Sequence, residues 1–262
     1  MVRCLIFLCL AALLQLPVAA AEVPRPTQKA NLTILTDENM LMPLAQLVRL
    51  YAAHTNTPLT VVLKHAVEAS AQIEQGLEAH LIITANAPLM NRLTEQGLTD
   101  VTSRRDIARS PLALVTASEL GKEAFVAKRI SFAAILNATP DLPVFVDTPE
   151  SYAGARAQAL LTDPEFAALL GTRLIIKADH EEMIEALRDS NGLALMLAAD
   201  AATETDIKVL ALLPETLSPP VLFEGVVLGS ESMGDAKELL NYLDSREAQR
   251  VFARFGFQPS GN

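Results

Sequence analysis

Three apolar residues and a threonine, LIIT at 81–84, stand between two helix-like segments and restrict the fold more than any other part of the chain. Upstream, a helical segment carries Gln72, Glu74 and Gln75 and stops at Gly76, a residue that ends helices without steric cost. Downstream, Asn86 and Pro88 open the next helix. A short, mainly apolar strand flanked by helices belongs to an open α/β sheet covered on both faces. In such sheets ligands bind beyond the carboxyl ends of the strands.

The same rhythm runs through most of the sequence. Strands are expected at 32–36 (LTILT), 59–63 (LTVVL), 112–116 (LALVT), 144–147 (VFVD), 174–177 (LIIK) and 193–197 (LALML). Helices are expected over 42–54, 66–75, 88–95, 131–136, 152–161 and 181–188. The first has its apolar stripe at Leu44, Leu47, Val48 and Tyr51. Strand–helix alternation implies mostly parallel sheet. Two segments break it, 111–117 and 219–230, each after proline-marked irregular sequence.

The N-terminus predicts export. Arg3 precedes an apolar run from Cys4 to Leu16, then Pro17 and VAAA before Glu22. That is the layout of a secretory signal peptide over 1–21, cleaved after Ala21. The run is shorter than the roughly 20 residues a membrane span needs. Leu8 before Cys9 does not fit a lipoprotein site, and no later segment is long and apolar enough to span. Both cysteines, Cys4 and Cys9, lie in the signal peptide, so the mature chain is expected to lack disulfide and thiolate chemistry. Without Arg3 the chain keeps 20 basic and 31 acidic residues, a net charge of −11. Such a balance argues against nucleic acid and anionic lipid as partners.

Several segments resemble the periplasmic molybdate-binding proteins of ABC importers. QIEQG with LIITANAPL is close to that family's pattern over 72–89, and SRRDIARSPLALVT (103–116) and DTPESYAGARAQAL (147–160) are similar too. The C-terminus carries the family's ending as Ser245, Glu247, Ala248, Gln249, Phe252, Gly256, Phe257 and Pro259. The resemblance implies a two-lobe periplasmic-binding-protein fold of type II. Each lobe would be a mostly parallel sheet flanked by helices, with the segments at 111–117 and 219–230 as crossing strands that act as a hinge. Lobe 1 would comprise 30–111 and 219–262, and lobe 2 residues 112–218.

The resemblance also implies a site, and there the match weakens. The family holds a dehydrated oxyanion with two serine hydroxyls, a tyrosine hydroxyl and backbone N–H groups at helix N-termini. The loop TDENML puts Asn39 at the first serine, after Asp37 and Glu38. KHAVEASA puts Ala66 or Val67 at the second, and Leu197 stands for the tyrosine. Each lost hydroxyl to a charged ligand costs about 1.5–3 kcal/mol. The N–H groups at 153–154 are retained in the pattern.

Candidate ligand-binding residues are therefore Asp37, Glu38, Asn39, His65, Val67, Asn86, Ala153 and His180, nearly all just past strand ends. Lys64, Asp147, Glu150 and Asp179 stand at comparable positions. Glu38 and His65 are the candidate metal ligands, since carboxylate, amide and imidazole together suit a divalent metal, or a cationic or metal-chelated organic ligand, better than they suit a bare dianion. Asp147 has a plainer reading as a loop-setting acid, and the acids at 37–38 as caps of the following helix. His80 reads as packing beside its strand, and His54 as a solvated or capping residue.

No G-x-S-x-G elbow, P-loop or H-E-x-x-H motif occurs, and His180 and Glu181 would diverge on a helix. No enzyme activity and no cofactor are expected. The function expected is that of a periplasmic, monomeric solute-binding protein taking a molybdate-like oxyanion, a metal or another altered ligand between its lobes. Its partner would be an ABC permease. The alternative is an accessory protein that keeps the fold but serves a sensor or an enzyme.

Overall fold

The structure, a computed structural model, describes residues 31–56, 59–63, 66–76, 78–117, 131–229 and 233–260. The expected signal peptide, Lys64 and His65 lie outside them. Val67 falls within a helix, but its side chain is not among those described.

Chain order begins β1 (Leu32–Thr36), α1 (Glu38–Thr55), β2 (Leu59–Leu63), α2 (Ala66–Glu74), β3 (Leu81–Thr84), α3 (Ala87–Glu95) and β4 (Arg105–Ser110). It continues with β5 (Leu112–Thr116), α4 (Phe132–Ala138), β6 (Val144–Val146), α5 (Tyr152–Leu160), α6 (Pro164–Leu170) and β7 (Leu174–Ile176). Then come α7 (His180–Arg188), β8 (Leu193–Leu197), α8 (Ala198–Ala201) and β9 (Lys208–Leu212). The end is β10 (Val221–Val227), α9 (Met233–Leu243), α10 (Arg246–Arg254) and β11 (Gln258–Pro259).

Two sheets result, ordered β11-β4-β10-β3-β1-β2 and β7-β6-β8-β5-β9. Strands β3, β5 and β8 are buried at every residue, as apolar strands between helix layers must be. The expectation of mostly parallel sheets needs refinement, because both are mixed. Pairing is parallel within β2-β1-β3 and β7-β6-β8. The strands that enter from the opposite lobe run against their neighbours: β10 against β3 and β4, and β5 against β8 and β9.

Pro111 separates β4 in one sheet from β5 in the other, and residues 213–220 make the return passage. The first passage is fastened to the start of α8. The carbonyl of Pro111 accepts from Ala198 N at 2.9 Å, and Ser110 Oγ accepts from Ala199 N at 3.1 Å. Gly256, with φ +77°, lies against the same place: a methyl group there would sit 2.6 Å from the Ala198 carbonyl carbon. Beneath the passages the core is continuous. Phe223 packs edge-on to Phe257 at 5.4 Å and to Tyr152 at 6.1 Å, so rings from both lobes interlock.

Candidate functional site

A cavity of about 450 Å³ lies between the sheets, and strand carboxyl ends supply its walls. Asp37, Glu38 and Asn39 follow β1, and Asn86 follows β3. From the other lobe come Asp147, Glu150, Ser151, Tyr152 and Ala153 after β6, and His180 after β7. Leu197 ends β8, and Asp200, Thr203 and Glu204 follow it.

Asp37 is the most constrained of these. It occupies the N-cap position of α1, yet its side chain makes no capping bond. Its carboxylate instead accepts from Thr84 Oγ1 at 2.8 and 2.9 Å, from Ala85 N at 2.9 Å and from the Tyr152 hydroxyl at 2.9 Å. Donors thus reach it from both lobes. Tyr152 is the first residue of α5, and its hydroxyl pKa is raised by burial first and then by the Asp37 charge. A second polar bridge crosses the cavity, where Asn39 Nδ2 donates to Asp200 Oδ1.

Helix caps use up other polar atoms of the walls. Asn86 Oδ1 accepts from Leu89 N at 2.9 Å and Ser151 Oγ from Gly154 N at 2.9 Å. Asp147 Oδ1 accepts from Thr148 N at 2.7 Å, and Glu150 accepts from Thr148 Oγ1, which holds its carboxyl below the usual range. The start of α5 is pressed onto this loop. A Cβ on Gly154 would collide with the Thr148 carbonyl oxygen and lie 2.6 Å from that of Asp147.

The electrostatics are one-sided. Six carboxylates line the cavity: Asp37, Glu38, Asp147, Glu150, Asp200 and Glu204. Of these Glu204 is paired with Arg188 at 2.8 Å. Among the described lining residues His180 alone can become cationic. Asp200 shows the consequence: burial, followed by the charges of Glu38 and Asp147, lifts its pKa to about 6 against the opposing effects of Asn39 and His180. Like unit charges about 6 Å apart repel by roughly 3 kcal/mol at an effective dielectric near 20. An added anion would meet repulsion of this kind from the lining carboxylates.

Of the residues singled out in the sequence, Asp37, Glu38, Asn39, Asn86, Ala153 and His180 border this cavity. His65 lies outside the described residues, so the Glu38–His65 metal pair has no geometry here. Among the described residues no three His, Cys, Asp or Glu side chains gather as a metal shell. Asp37 faces the cavity rather than capping α1 outward. His80 is buried beside its strand, its Nδ1 accepting from Thr33 N at 3.0 Å. Sequence reasoning missed Tyr152 and Asp200. A tyrosine opening a helix just past a strand, and the acid in LMLAAD just past another, were the available signals.

Residues 32–258 match the sequence profile of the family described as bacterial extracellular solute-binding protein. The molybdate-binding protein ModA of Haemophilus influenzae is 24% identical over 232 residues, 87% of this chain and 90% of that protein. Its namesake in Escherichia coli is 24% identical over 189 residues, covering 71% of this chain and 72% of the other. Among solved structures, a substrate-binding domain assigned to a molybdenum ABC transporter of Clostridium difficile superposes with a TM-score of 0.76 at 23% identity. That superposition covers 87% of this chain and 98% of the other.

Proposed function

We propose that this chain, which belongs to the bacterial extracellular solute-binding protein family, captures a small polar solute between its two lobes and presents it to an ABC permease. The observation that carries the reading is the cavity itself. It is walled by strand carboxyl ends of both sheets and spanned by the Asp37–Tyr152 and Asn39–Asp200 hydrogen bonds. A site built half from each lobe couples occupancy to their relative position. Export through the N-terminal segment and work in the periplasm belong to the same reading, as does a monomeric receptor. The likeness to the substrate-binding domain assigned to a C. difficile molybdenum ABC transporter supports delivery to a permease over service to a sensor or enzyme.

Small-angle scattering of dialysed protein tests this. Adding the low-molecular-weight fraction of a periplasmic extract should reduce the radius of gyration and slow thermal unfolding. An unchanged profile and an unchanged Tm at saturating extract would overturn solute capture.

A further inference from the structure

We infer that the solute is a small organic cation, a molecule bearing an amine or guanidinium group, and that bare oxyanions are rejected. This rests on the solute-capture reading and narrows its ligand class.

Charge is the first support. Glu38, Asp147, Glu150 and Asp200 face the cavity from both lobes. The second support is the fate of the donors. Asp37 takes the Thr84 hydroxyl, the Ala85 N–H and the Tyr152 hydroxyl, so the protein's own carboxylate occupies the groups an entering anion would need. The Gly154 N–H at the start of α5 is likewise committed to Ser151. The walls carry six carboxylates, and a ligand rich in N–H donors complements them.

Size is the third support. A volume of about 450 Å³ falls in the range of roughly 300–1,000 Å³ typical of small-molecule sites. A single coordinated ion fills a small part of it. A metal alone would also need a converging donor shell.

The test divides that same low-molecular-weight periplasmic fraction on a cation-exchange resin and measures the Tm of dialysed protein with each part. Spermidine, L-arginine, sodium molybdate and zinc chloride serve as pure probes. The resin-retained part should raise the Tm with or without EDTA, and molybdate should leave it unchanged. Glu38→Gln, at the exposed start of α1, should raise the concentration of retained material needed for half the shift about tenfold or more. A shift produced by the flow-through or by molybdate overturns the cation inference while solute capture stands. A shift abolished by EDTA and restored by zinc chloride overturns it in favour of a metal. A retained-part shift that Glu38→Gln leaves unaltered overturns the site assignment. No shift with any part or probe overturns both readings together.

Discussion

Asp200 carries a charge where burial and two neighbouring carboxylates oppose it, and unfolding should reveal the conflict. Its folded pKa, about 6, lies above the 3.8 of a free aspartate. The folded protein therefore binds the proton more tightly than the unfolded chain does. Stability from this group is present below pH 3.8 and is lost as pH rises through about 6. Urea unfolding from about pH 4 to pH 7 should show wild-type stability falling relative to Asp200→Asn by about 1–3 kcal/mol across that window. Parallel curves for the two proteins would remove the shift. Gly154 makes a second residue-scale prediction. Gly154→Ala should cost at least about 2 kcal/mol, because the methyl group displaces the Thr148 and Asp147 carbonyls rather than a pliable side chain. It should also disturb the cavity through Tyr152, two residues earlier, measurable as weaker binding of the stabilising extract fraction.

The elements were legible where an apolar pattern and a stop signal coincided. LTILT, LTVVL, LIIT and LALML became β1, β2, β3 and β8. Strand β4 was not foreseen, since RDIARS reads as polar. Its charges are satisfied sideways, Arg105 by Asn241 at 2.7 Å and Arg109 by the Pro259 carbonyl at 3.0 Å, while Ile107 and Ala108 are buried. Strand β9 and the short helices α6 and α8 were missed as well, their patterns too brief to show a period. The start of α1 was placed at Met42, where the apolar stripe begins, but the helix opens at Glu38 with a polar turn on the cavity. For the site, strand-end logic reached the Asp37 loop, Asn86 and His180. It did not reach the pairings with Tyr152 and Asp200, 115 and 161 residues away, because no local pattern encodes a contact between lobes.

At the scale of the whole molecule, two hydrogen bonds join the lobes across the cavity. Tyr152→Phe removes a bond to a carboxylate, a contact worth about 1.5–3 kcal/mol. Scattering of the unliganded variant should show a larger radius of gyration than wild type, while its Phe223 ring contact is preserved. An identical radius would mean that the bond does not hold the lobes. The bond has a kinetic corollary. If solute enters only while Asp37 and Tyr152 are apart, capture runs at the arrival rate multiplied by the open fraction. Such a tether would throttle uptake: it would slow escape and entry together, and a receptor built this way would favour retention in a dilute environment over rapid sampling of a changing one.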